Sequence, residues 1–141
     1  MEQEVREIKL KENDELNRYI DEFNNDIKLS LANIREKALM VSSIRGKWLS
    51  YLFKERENLA RLKDLKALAL KKKMEESKND SVLKLKTEEA IVKNDETMQK
   101  LAKLEKITNS NLDYIERALS ILQDFGFSIK NTIEVLKLEK M

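Results

Sequence analysis

The chain has 141 residues and a net charge of +2, with 38% of its residues charged, 6% aromatic, glycine only at Gly46 and Gly126, and no proline, cysteine or histidine. That composition predicts one all-α domain of long helices and few turns; it excludes a disulfide framework, thiolate or imidazole metal ligation and a histidine general base, so neither an enzyme nor a cofactor is expected. The longest apolar runs, ALMV and ALAL, fall far short of the ~18 residues of a membrane span, and the acidic N-terminus lacks the basic and apolar parts of a signal peptide, so a cytosolic protein is expected.

In chain order, residues 1–25 read as an N-terminal helical segment with Leu16, Tyr19, Ile20 and Phe23 on one side. The side chains of Asn24, Asn25 and Asp26 suit a helix N-cap, so a long helix is expected over 26–78. Stepping in threes and fours from Ile27 to Lys73 lands mostly on apolar residues, a coiled-coil-like seam. Its polar exceptions, Arg45, Glu55, Lys66 and Lys73, all lie at or beyond Arg45. The basic charge lies there too: residues 45–73 hold 10 basic and 3 acidic side chains, against 7 and 10 in 1–44 and 11 and 13 in 74–141. The seam therefore weakens where the charge rises, and the distal half is expected to face something other than apolar protein. Within it, LALKKKMEES (Leu68 to Ser77) places three lysines in a row, which spreads positive charge around the rod rather than along one face.

SKNDS (Ser77 to Ser81) supplies turn and capping residues, which predicts an antiparallel return over 82–126 with TNSN at 108–111 as a candidate break. Gly126 suits the left-handed position after a helix, with Phe127 folding back on Leu122, leaving a short C-terminal helix over 128–141. The expected architecture is a long helical hairpin with short terminal helices. One hairpin cannot bury both its seam and the apolar residues Ile115, Leu119, Leu122, Phe125, Phe127, Ile129 and Ile133, so these are expected to hold a homo-oligomer together.

Several motifs fall short of chemistry. RGKW lacks the upstream glycine and the hydroxyl residue of a phosphate-binding loop. The adjacent carboxylates Glu75 and Glu76, Glu88 and Glu89, and Asp95 and Glu96 point to different helix faces, which reads as solvated charge rather than a magnesium site. Trp48, Tyr51 and Phe53 interleave with Arg45, Lys47, Lys54 and Arg56, as where bases stack on rings beside phosphate-binding cations. Trp48 also falls on the apolar seam, so packing and stacking both stay open for it.

The ending YIERALSILQDFGFSIKNTIEVLK (Tyr114 to Lys137) carries an aromatic-glycine-phenylalanine turn at Phe125, Gly126 and Phe127, followed by Ile129, Lys130 and Ile133. With KWL (Lys47 to Leu49) and VKNDETMQKL (Val92 to Leu101), it resembles the UvsY-type recombination mediators of T-even-like phages over about residues 45–137. Aligned from KWL, that family's basic single-strand-binding motif falls on Leu70 to Met74, with Lys71 at its lysine, Lys73 at its arginine and Lys72 where the family has alanine. Lysine is a point charge without arginine's flat fork, so Lys73 would hold phosphate without bidentate contact. The resemblance implies a non-enzymatic mediator in the cytoplasm of the infected bacterial host. It would bind single-stranded DNA through Lys71 and Lys73, with Lys72, Lys66, Lys63 and Arg61 supporting, and help a RecA-like phage recombinase onto strand coated by the phage single-strand-binding protein. It also implies a ring-like or open-barrel hexamer or heptamer. Read from charge pattern alone, the chain also fits a coiled-coil adaptor whose basic stripe meets an acidic protein.

Overall fold

The computed structural model describes residues 13–30, 32–79 and 95–140. Among them are three helices and no strand: α1 (Asp14–Asp26), α2 (Ile34–Asn79) and α3 (Glu96–Glu139).

Helix α1 starts because the Leu16 N–H donates to the Asn13 side chain at 3.1 Å, with Asp14 and Glu15 at the positive end of the helix dipole. Asn24 to Asp26 close α1 instead of opening the long helix. The turn after them is built by Asn33, whose Oδ1 accepts from the Ser30 N–H at 2.8 Å while its Nδ2 donates to the Lys28 carbonyl at 3.2 Å. The Asn33 carbonyl then takes the Lys37 N–H at 2.9 Å, so α2 begins at Ile34 rather than at 26.

Helix α2 continues to Asn79, through the first residues of the expected turn. The rest of that turn and the start expected at 82 for the return helix lie outside the described residues, which resume at Asp95. There the Met98 N–H donates to Asp95 Oδ1 at 3.0 Å and caps α3. Helix α3 then runs unbroken through TNSN and through Gly126, so neither the candidate break nor the separate short C-terminal helix exists. The hydroxyls that suggested a break satisfy themselves within the helix: Thr108 Oγ1 donates to the Leu104 carbonyl at 2.9 Å and Ser110 Oγ to that of Lys106 at 3.1 Å. No described glycine has a positive φ, which removes the left-handed stop at Gly126.

The chain packs as two compact units, 13–53 with 111–140 and 54–79 with 95–110. In the first, α1 lies over α2 and α3. Tyr19, Phe23, Ile44, Trp48, Leu52, Leu112, Ile115, Ala118, Leu122 and Ile129 are buried, and Trp48, Ile115 and Leu122 have no exposed surface. Phe23 stands edge-on to Trp48 at 5.4 Å and to Tyr114 at 6.1 Å between ring centres. Each large side chain buried this way contributes about 1.5–3 kcal/mol. Helices α2 and α3 approach closely here, with Val41 Cγ1 3.5 Å from where a Cβ on Gly126 would stand.

In the second unit α2 and α3 pair antiparallel over a much thinner core, in which Met98 is the one fully buried apolar side chain among the described residues. The polar seam positions of the sequence are used here as ties. Lys66 Nζ meets Glu105 Oε2 at 3.5 Å and Lys73 Nζ meets Asp95 Oδ2 at 3.3 Å. The seam does not weaken into a free surface; it changes from apolar to ionic.

Candidate nucleic-acid interface

The distal half of α2, from Lys54 onward, is where the chain concentrates positive charge. One flank of it is spent on α3, because a helix in contact with a neighbour along its length turns every third or fourth side chain inward. The three adjacent lysines show the result. Lys71 and Lys72 are exposed and have no ion pair among the described residues, whereas Lys73 is half-buried against Asp95. Asp95 is held below the ordinary carboxylate range, first by the Met98 N–H and then by Lys73, while its own burial pulls the other way.

The six cations singled out in the sequence therefore separate. Lys63, Lys71, Lys72 and Arg61 face solvent, while Lys66 and Lys73 serve as ties to α3. Arg61 sits 3.7 Å from Glu57 one turn back, and both side chains are largely exposed, so this pair holds little energy and leaves the guanidinium available. The sequence reading missed the ties; the signal was present in Glu105, which interrupts the apolar spacing of the return helix at the place where a cation interrupts that of α2.

Of the three aromatic residues interleaved with cations, two are committed to the fold. Trp48 is fully buried and its Nε1 donates to Asp26 Oδ2 at 2.9 Å, while Lys47 Nζ donates to the same oxygen at 2.7 Å. The Tyr51 hydroxyl donates to Glu22 Oε1 at 2.9 Å. Burial alone would lower the Lys47 pKa, but the hydrogen bonds and charges of Asp26 and Glu22 outweigh it and hold it above its ordinary value. Burial, and then the bond to Glu22, raise that of Tyr51. Trp48 therefore packs rather than stacks on bases. Phe53 differs: it is 63% exposed.

The apolar residues expected at an oligomer interface also divide. Ile115, Leu122 and Ile129 are buried inside the chain's own core, Leu119, Phe125 and Ile133 are half-buried, and Phe127 is exposed. Leu39, Val135 and Leu138 join Phe127 as exposed apolar side chains of the same unit. Beside them an open cavity of about 380 Å³ lies between the start of α2 and the end of α3, floored by Ile34, Ala38, Leu39, Ile133 and Leu136. Among the described residues no cluster of carboxylates is arranged to hold a metal ion, and no helix is long and apolar enough to cross a membrane.

Residues 22–140 match the family described as "Recombination, repair and ssDNA binding protein UvsY". The chain belongs to the UvsY family. Among solved structures it is similar to crystal structures of the bacteriophage T4 recombination mediator protein UvsY. One, in lattice type IV, superposes with a TM-score of 0.75 at 18% identity, covering 88% of this chain and 98% of the other. The lattice type II form gives 0.75 at 17% identity and the type III form 0.73 at 17%, each covering 89% of this chain and 97% of its counterpart. At such identities the likeness establishes a shared fold. No curated protein sequence matches significantly.

Proposed function

We propose that this UvsY-family chain is a non-enzymatic recombination mediator of an infected bacterial cell. It binds single-stranded DNA through the solvent-facing cations of distal α2 and promotes loading of a RecA-like phage recombinase onto strand coated by single-strand-binding protein. The observation that carries the reading is the division of labour among the lysines of distal α2. Lys66 and Lys73 already balance Glu105 and Asp95, so Lys63 and Lys71 are charge beyond what the fold uses. Cations in that position attract a phosphate backbone without reading sequence. A homo-oligomer fits the exposed apolar residues Phe127, Leu39, Val135 and Leu138 and multiplies a modest per-chain affinity, since later contacts on one strand become intramolecular.

Two measurements test this. Labelled single-stranded and duplex oligonucleotides titrated at several salt concentrations should show salt-dependent binding with preference for the single strand. Recombinase filament growth on strand coated by the phage single-strand-binding protein should shorten its lag when the chain is added. Binding without any change in lag would reduce the protein to a strand-coating role; absence of strand binding, with an acidic protein captured instead, would favour the coiled-coil adaptor.

A further inference from the structure

The solvent side of distal α2 is not uniformly basic. With successive residues turned by about 100° around the axis, the inward face is fixed by Glu55, Leu59, Leu62, Lys66 and Lys73, of which Glu55 is buried and the rest are half-buried. Directly opposite, the crest carries Glu57, Asp64 and Glu75, all exposed. The cations stand on the two flanks between crest and inward face. One flank, an arc of about 80°, holds Arg56, Lys63 and Lys71, separated only by the exposed alanines Ala60 and Ala67. The other holds Lys54, Arg61 and Lys72 together with Leu65 and Leu68, which are 47% and 65% exposed.

Resting on the strand-binding function proposed above, we infer that a single strand runs lengthwise along the Arg56–Lys63–Lys71 flank and is kept off the opposite flank by the acidic crest. Three features separate the flanks. The crest sets Glu57, Asp64 and Glu75 in a line along the axis between the flanks, so a strand crossing it would bring phosphate against carboxylate, and like charges at close range repel. Arg61 is paired with Glu57, a carboxylate of that crest, at 3.7 Å, which leaves Lys72 on its flank without an ion pair among the described residues, against both Lys63 and Lys71 on the other. Ala60 and Ala67 bring no bulk between the cations, so a backbone can lie close to the helix, while Leu65 and Leu68 put exposed apolar surface into the other path. Spacings of seven and eight residues place the three cations about 10.5 and 12 Å apart along the axis, a line that follows a strand rather than a point that pins it. On this path Lys72, though adjacent to Lys71, contributes little.

The test compares two variants that remove equal charge, Lys63→Ala with Lys71→Ala and Arg61→Ala with Lys72→Ala. Circular dichroism confirms that both stay helical, and a labelled oligothymidylate is titrated across a salt series. Each lost phosphate contact removes about 0.7 from the slope of log affinity against log salt for a single strand, so the first variant should lose about 1.4 and the second only a small part of that. Equal losses, or a larger loss in the second variant, overturn the flank assignment. A wild-type chain that binds, with its full slope retained in the Lys63→Ala, Lys71→Ala variant, overturns the flank alone, whereas a wild-type chain with no salt-dependent binding overturns the function it rests on as well.

Discussion

Asp26 Oδ2 accepts two hydrogen bonds from consecutive residues of α2, one from Lys47 Nζ and one from Trp48 Nε1, and so ties the end of α1 to the aromatic core. Removing that acceptor leaves a buried indole N–H and a half-buried ammonium without it. Asp26→Ala should therefore destabilise the chain by about 1–3 kcal/mol, read by denaturant melting followed through Trp48 fluorescence. The same cluster sets an alkaline limit. Lys47 has a folded pKa raised above its unfolded value, so its contribution is complete below about 10.4 and is lost as pH rises through the raised value. Tyr51 and Tyr114, both raised chiefly by burial, act in the same direction. Stability should fall as pH climbs past about 10 in the wild type, and less steeply in Asp26→Ala, where the Lys47 contribution is already weakened; a parallel fall in both would remove Asp26 as its source. Little of this was legible in the sequence. Trp48 lay on the apolar seam and also among cations, and what decides between packing and stacking is a cover supplied by α1, more than 20 positions earlier in the chain.

Among the elements, α3 departs most from what its sequence suggests. TNSN and Gly126 are strong local signals for a break, yet the helix passes both, because the hydroxyls of TNSN bond back to carbonyls of their own helix and the buried residues Leu112, Ile115, Leu122 and Ile129 continue one stripe from the end of TNSN across Gly126. Packing of that stripe outweighs the propensity cost of a single glycine, about 1 kcal/mol. The spacing of apolar residues was the legible part, and it gave the antiparallel long helices. The caps at Asn13, Asn33 and Asp95 were not, since Asn and Asp occur at many other positions with equal local merit. A helical Gly126 has a consequence opposite to that of a left-handed one. A Cβ there would stand in ordinary contact with Val41, and one at Gly46 would meet nothing within 4 Å. Gly46→Ala and Gly126→Ala should each raise stability by roughly 0.5–1 kcal/mol in thermal melting. A loss at Gly126 would restore the turn expected from the sequence.

At the scale of the whole molecule, the structure divides the seven residues expected to hold an oligomer together into those buried in the chain's own core and those left at its surface. Leu122 has no exposed surface, so a charge there is buried in the chain's own core and unfolds it before any interface is tested. Phe127 and Leu39 are 61% and 86% exposed, so a charge there meets water in the single chain and meets apolar surface only if another copy covers it. From sequence these positions look alike, because an apolar residue on a helix does not reveal which neighbour buries it. The expected outcomes therefore diverge. Phe127→Glu with Leu39→Glu should keep the helical circular dichroism and melting temperature of the single chain while sedimentation shifts to smaller species, and single-strand binding should weaken although no cation has been touched, because the contacts of separate chains no longer add on one strand. Leu122→Glu should instead lose helicity and melt early. If the doubly charged variant sediments as the wild type does, the exposed apolar residues of this unit are not what joins the copies; if it also keeps full strand affinity at reduced size, binding does not depend on assembly.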